Sequence, residues 1–197
     1  MNTQIMIYGI HLNNFKTFKN AIMKTYKLKC NNLQVFFGNK TLTTLSDKFN
    51  PSKEEIIEIK NLLKKYKINL YCHGILSLNY CNYPYSKRYE WGLTNLIYDM
   101  NLLHKLGGKA CIIHAGRYIT KRYEISKEEC YKNYINSLKY VIDNTKVTKI
   151  YIETPATKKN TIINSLEEFA KLYNKIPINY KKRVKICIDT CHIFVSG

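Results

Sequence analysis

Six short apolar runs recur along this chain, at residues 5–10, 33–37, 68–72, 110–113, 148–152 and 184–188. Between them lie stretches at 14–27, 52–66, 90–106, 126–142 and 165–174 whose apolar residues return at helical spacing. Runs this short suit strands buried on both faces, and Phe15, Phe18, Ile22 and Tyr26 make one helical stripe. Ile56, Ile59, Leu62 and Leu63 make a second. Helix starts are marked by Ser52 with Glu54 and Glu55, and by the capping-box pattern Ser126-Lys-Glu-Glu129. Gly107-Gly108 marks a helix end. Strand and helix alternating at this interval predict an α/β fold with a parallel sheet wrapped in helices, and no hairpin signal interrupts it. An open doubly wound sheet and a (β/α)8 barrel both satisfy the pattern. No G-x-G-x-x-G follows the first run, which removes the main support for a dinucleotide-binding sheet. The expectation is one domain over 1–197 with about six β/α units, and the pattern alone leaves both architectures open, a full barrel needing eight such units.

Hydrophobic content of 45% excludes a disordered chain, and no apolar run approaches the length of a membrane span. No signal-peptide pattern opens the sequence, so a soluble intracellular protein is expected. The seven cysteines stand singly, several in apolar runs, as reduced core thiols do. Cys187 and Cys191 lack the C-x-x-C spacing of a zinc pair. The net charge of +18 points to a polyanionic partner, most simply nucleic acid. Its lysines are spread out, with short clusters such as Lys64-Lys65, Lys158-Lys159 and Lys181-Lys182-Arg183.

The ends of the apolar runs carry the chemistry. His11, His73, His114, Glu153 and Asp189 each stand where a run stops, and His192 follows three residues later. The fifth histidine, His104, falls inside a helical stretch and reads as surface or packing. Singly, each has an ordinary role: a hydrogen-bonded histidine, a glutamate paired with a lysine, an Asp189 that caps a helix. Together they converge, because a parallel barrel gathers the C-terminal ends of its strands on one rim. Imidazole and carboxylate suit zinc, manganese or iron. Such an ion activates water and stabilises charge on a phosphoryl oxygen, and Glu153 between two ions could orient the attacking hydroxide. No serine or cysteine sits in a convincing nucleophile setting.

The string Cys187-Ile-Asp-Thr-Cys-His192, followed by Phe194 and Gly197, resembles the signature of the endonuclease IV family of apurinic/apyrimidinic endonucleases. Tyr8-Gly-Ile-His11, Cys72-His73-Gly74, Ile113-His114-Ala-Gly116 and Ile152-Glu153-Thr-Pro155 agree with it in order and spacing. The His-Gly and Glu-Thr-Pro forms look more like the large DNA virus members. The resemblance implies an α/β fold of the TIM-barrel (β/α)8 type, with only about six β/α units present in this sequence, that holds three zinc ions and hydrolyses double-stranded DNA 5′ to abasic sites in base excision repair. It implies that His73 and His114 bind one zinc, that Glu153 bridges it to a second shared with Asp189, and that His192 binds a third. His11 matches a rim histidine outside the zinc set. Asn39 and Lys40, with His11, are the DNA-contact candidates. The loop 38–42 lacks the arginine and glutamine of bacterial members and Leu76 replaces a tyrosine; Tyr80, Tyr83, Tyr85 and Lys40 are the candidate substitutes, packing being the ordinary role of such tyrosines. The family's later zinc ligands are not in this sequence, so fewer ions, weak zinc binding and poor cleavage are expected of it, as a fragment or a natural truncation. A monomer is expected, in the cytoplasm or in the nucleus of a host if viral. Two alternatives stand beside this reading: a metal-dependent sugar isomerase or epimerase barrel, and an inactive DNA-binding remnant.

Overall fold

A computed structural model describes residues 6–41, 44–84, 86–120, 123–156 and 160–196. Ile5, Leu42, Tyr85, Lys158, Lys159 and Gly197 lie outside the described residues. The elements run β1 (Gly9–Leu12), α1 (Phe18–Lys27), β2 (Asn32–Val35), α2 (Lys53–Lys65), β3 (Asn69–His73), α3 (Lys87–Lys105) and β4 (Ala110–Ile113). There follow β5 (Ile119–Thr120), β6 (Tyr123–Glu124), α4 (Lys127–Asp143), β7 (Lys149–Glu153), α5 (Leu166–Lys175), a 3-10 turn (Tyr180–Lys182), β8 (Val184–Cys187) and α6 (Thr190–Phe194).

Six strands form one parallel sheet in the order β1-β2-β3-β4-β7-β8. Each pairs only with the strands of the preceding and following β/α units, as in Leu33 with Leu70, Cys72 with Cys111 and Glu153 with Cys187. A doubly wound sheet reverses its strand order at a switch point, and this one does not. The arrangement is therefore barrel-type, six units long among the described residues.

The helices begin where their caps dictate. Ser52 and Glu55 form the full capping box, each side chain accepting from the other's backbone N–H. Ser126 Oγ accepts from the Glu129 N–H and Ser165 Oγ from the Glu168 N–H. Gly107 takes φ +77° after α3, a turn that favours glycine. Three features depart from the sequence reading. The first strand starts at Gly9, because Met6 and Ile7 are exposed and sheet contacts begin where Tyr8 O accepts from Asn31 and Asn32. A Cβ at Gly9 would lie 2.3 Å from Asn32 O, so the strands close only on glycine here. The third helix starts at Lys87, not residue 90, because Ser86 caps it through the Tyr89 N–H. The antiparallel pair β5–β6, contrary to the expected absence of hairpins, has two-residue strands too short for any periodicity to betray.

The core packs the sheet's outer face against the helices through Ile22, Leu33, Leu70, Met100, Leu103, Cys111, Val141, Ile150 and Val184. One ion pair is sealed into it. Lys48, in the β2–α2 connection, donates to Asp99 on α3, with side-chain exposures of 1% and 2%. Lys48 Nζ also lies 5.5 Å from the Tyr98 ring centre. The pair pins that connection to α3. Burial pushes the Asp99 carboxyl up to about 6 from 3.8, against the pull of Lys48. A carboxyl raised on folding binds more protons folded than unfolded, so its contribution to stability falls as pH climbs from 3.8 to about 6. Removing the lysine raises Asp99 further and leaves a bare buried charge above that window. Lys48→Met should therefore cost about 3–5 kcal/mol at pH 8 and distinctly less at pH 5. Urea unfolding at both pH values measures this; equal losses would contradict it.

Candidate metal centre

The sheet delivers its chemistry at the C-terminal strand ends. His73 closes β3, His114 follows β4, Glu153 closes β7, and Asp189 follows β8 and caps α6. His73 and Glu153 are buried, at 6% and 8% exposure, while His114, Asp189 and His192 are half-buried. The site thus has a dry floor and an open rim.

Glu153 is its middle. Oε2 lies 3.4 Å from His73 Nε2 and 3.3 Å from His114 Nε2, and Oε1 lies 3.8 Å from His192 Nδ1. His192 Nδ1 is 3.6 Å from Asp189 Oδ2. Two groups of potential ligand atoms result, His73–His114–Glu153 and Glu153–Asp189–His192, each within 4.8 Å and sharing Glu153.

The imidazoles are held by backbone. His73 Nδ1 lies 2.7 Å from Gly74 O and His192 Nδ1 lies 2.9 Å from Thr154 O, so both Nδ1 atoms carry the proton. In the neutral rings Nε2 is then an unprotonated donor of electrons, the tautomer a metal ligand needs. Asp189 is set the same way: its N–H donates to Thr154 Oγ1 at 2.8 Å, and its Oδ1 accepts the His192 N–H at 2.9 Å. Burial pushes the Asp189 carboxyl up, but the His192 N–H, contact with Glu153 and the His192 ring outweigh it and hold the carboxyl below its ordinary value. Gly116 belongs to the same rim, since a Cβ there would lie 2.2 Å from Cys81 Sγ and 2.3 Å from Asn79 Oδ1.

Glu153 Oε2 is buried and lacks a hydrogen-bond partner among the described residues. It faces the Nε2 atoms of two rings, of which His73 offers a lone pair, in a site that water barely reaches. A buried carboxylate opposed by acceptors is costly unless a cation lies between them. The separations fit one: two ligands about 2.1 Å from a tetrahedral ion stand about 3.4 Å apart. The residues present therefore suit a divalent metal.

His11 is brought to the cluster without joining either group. Its ring stacks on His73 at 5.6 Å and 11°, touches Phe36 at 5.0 Å, and accepts from Gln34 Nε2 at 3.1 Å. His11 is exposed at the rim, yet partial desolvation of its ring, with His73 adding to the effect and Glu153 opposing, lowers its pKa to about 4, so the ring is neutral at pH 7. Asn39 and Lys40 lie exposed on the rim loop after β2. Asn39 Oδ1 is occupied by the Thr41 N–H and hydroxyl, and Lys40 O accepts from the Leu76 N–H. His104 is exposed in the last turn of α3. Tyr80 is core, and Tyr83 is partly exposed. No cysteine enters either ligand group among the described residues. The sequence reading missed Thr154, which orients both Asp189 and His192. Its only signal was its place in Glu153-Thr154-Pro155.

The family model described as a xylose isomerase-like TIM barrel matches residues 24–197. The chain belongs to that family. Its relatives carry the endonuclease IV name, as the motifs suggested. A protein of Acanthamoeba polyphaga mimivirus named for endonuclease 4 is 28% identical over 200 residues, covering 100% of this chain and 62% of that protein. The apurinic-apyrimidinic endonuclease of Caenorhabditis elegans is 27% identical over 195 residues, covering 96% of this chain and 46% of its own length. The chain thus spans under two thirds of these relatives. In fold, it matches endonuclease IV of Thermus thermophilus with a TM-score of 0.75 at 18% identity, over 98% of this chain and 65% of that one. It also matches the D-psicose 3-epimerase of Clostridium cellulolyticum at 0.73 and 19%, over 96% and 65%. At these identities the two structures establish the barrel and nothing of the chemistry.

Glu153→Gln separates the site's cost from its use. The amide replaces an opposed charge with a donor, so metal-free Glu153→Gln should be more stable than the parent, by about 1 kcal/mol. The rise in melting temperature on adding zinc should vanish. Differential scanning calorimetry with and without metal reads both; a destabilised apo variant that still responds to zinc would overturn the account.

Proposed function

We propose that this chain is the metal-binding part of a DNA-repair nuclease that hydrolyses the phosphodiester 5′ to abasic sites in double-stranded DNA, with zinc as its ion. The observation that carries the reading is the buried, unpartnered Glu153 Oε2 set between two imidazole nitrogens at 3.3 and 3.4 Å. Relatives named as endonuclease IV or apurinic-apyrimidinic endonuclease supply the substrate class. The charge of +18 suits a polyanion and suits a neutral ketose poorly, which sets the sugar epimerase reading aside.

In this reading His73, His114 and Glu153 would hold one ion, and Glu153 with Asp189 would hold a second. His192, its Nδ1 bonded to the Thr154 carbonyl, would ligate through Nε2. A bound divalent cation supplies Lewis acidity, activating water and offsetting charge on a phosphoryl oxygen. Glu153 keeps its carboxylate shared between the two ligand groups and is the catalytic carboxylate. The carbonyls of Gly74 and Thr154 keep Nδ1 of His73 and His192 protonated, so that Nε2 stays a lone-pair donor. His11 screens His73 from water on one side. Asn39 and Lys40, on the rim loop after β2, lie where a DNA backbone entering over the strand ends would meet them.

The test is incision of a duplex carrying one abasic site by the full polypeptide. Cleavage should fall on the 5′ side, stop on chelation and return with zinc. Glu153→Ala should lower the rate by about a thousandfold or more, the scale of losing an electrostatic catalytic group. Ketose epimerisation without incision, or incision indifferent to Glu153→Ala, would contradict the proposal.

A further inference from the structure

The helix-to-strand connections share a property that the metal centre does not use. They run from α1 to β2, α2 to β3, α3 to β4, α4 to β7 and α5 to β8, and they meet the N-terminal ends of the strands. Each carries at least one basic residue, among them Lys29, Lys67, Lys109, Lys146 and Lys182, all exposed. Lys149 adds another at the start of β7. None of the chain's 14 acidic residues falls in these connections. The nearest, Asp143, ends α4 and accepts from the Tyr180 hydroxyl at 3.0 Å.

A helix dipole accounts for lysines in the last helical turn, such as Lys64 and Lys65. It does not account for those beyond the helix end, because the effect fades within that turn. Acids gather at the opposite end, in the first turns of α2, α4 and α5. The molecule is therefore polarised along the barrel, with the excess of positive charge on the face away from the rim. That face is also shaped. An open concavity of about 460 Å³ between the C-terminal end of α2 and the connection after α3 is lined by Lys60, Lys64, Lys67 and Lys109, with Asn61 and Asn69 among its other walls. None of these four lysines is in an ion pair among the described residues.

We propose that this face is a second docking surface for the phosphodiester backbone of duplex DNA, separate from the metal centre. Unpaired lysines around a concavity match a row of phosphates, and amide side chains add donors without sequence preference. The metal ligands stand at the other end of the same strands, so a straight duplex lying on the rim does not touch this face. The surface holds a neighbouring segment, and keeps the protein on undamaged DNA between lesions. The choice of duplex DNA among polyanions rests on the nuclease reading; the charge geometry does not.

The test measures binding of a short undamaged duplex by fluorescence anisotropy over a range of salt, with chelator present so that incision plays no part. The triple variant Lys64→Glu, Lys67→Glu, Lys109→Glu is compared with Lys53→Glu, Lys132→Glu, Lys171→Glu, which changes the net charge equally on exposed helix positions. Thermal melting verifies that both fold, and Lys→Gln at the first three positions gives a milder set. The first triple should weaken binding about tenfold or more and lower the slope of log K against log salt by about 2–3. The second should change affinity by less than about threefold. Equal losses from both triples would mean that only net charge matters and would overturn the proposal. An unchanged affinity, or a loss seen with anionic phospholipid vesicles but not with DNA, would also overturn it. Failure of the nuclease reading shows separately, as absent incision with the triple-dependent duplex binding intact.

Discussion

The structure turns on one desolvated carboxylate. Glu153 ends a central strand with one oxygen buried and facing two imidazoles. A folded chain accepts such an arrangement only where the rest of it holds the opposed groups in place. The holding is visible. The Gly74 and Thr154 carbonyls fix two rings, the Thr154 hydroxyl fixes the Asp189 backbone, and His11 packs flat on His73. Each of these contacts orients a group that itself faces Glu153 or its neighbours.

Why the strands must run as they do follows from that centre. A candidate ligand set drawn from the ends of β3, β4, β7 and β8 needs those strands parallel, adjacent and ending level. The sequential order β1-β2-β3-β4-β7-β8 provides this, and the pairing of Glu153 with Cys187 brings the ends of β7 and β8 together. The helices outside bury apolar stripes and need no special chemistry. The exceptions are the Lys48–Asp99 pair, which ties the connection after β2 to α3, and Gly116, whose missing side chain lets the segments after β3 and β4 close together.

Much of this was legible in the residues. Alternating periodicities located six strands and five helices, and strand four came out at Ala110–Ile113, as read. Cap residues Ser52 and Ser126 began helices as expected, because their hydroxyls satisfy backbone donors locally. The strand-end rule set His73, His114, Glu153, Asp189 and His192 on one rim, and the structure brings their side chains together there, since a side chain at the end of a parallel strand has few places to go. The choice between barrel and doubly wound sheet was legible only through the family motifs, because strand order is a long-range fact that periodicity does not carry. The hairpin at β5–β6 was not legible, nor was the buried Lys48, whose partner lies 51 residues away. Asp189 combines two readings that looked exclusive. It is the N-cap of a short helix, and it still keeps a second oxygen beside His192 in the candidate ligand cluster.

The central claim is that imidazole and carboxylate groups, not thiolates, surround the cation at the end of these strands. Cys187 and Cys191 flank Asp189 and offer the obvious rival ligands, although burial, Glu153 and Asp189 push the Cys187 thiol above its ordinary range. X-ray absorption at the zinc edge of the metal-loaded protein decides between them. The account predicts a shell of nitrogen and oxygen at about 2.0–2.2 Å with imidazole outer scattering. A sulfur shell at about 2.3 Å would contradict it.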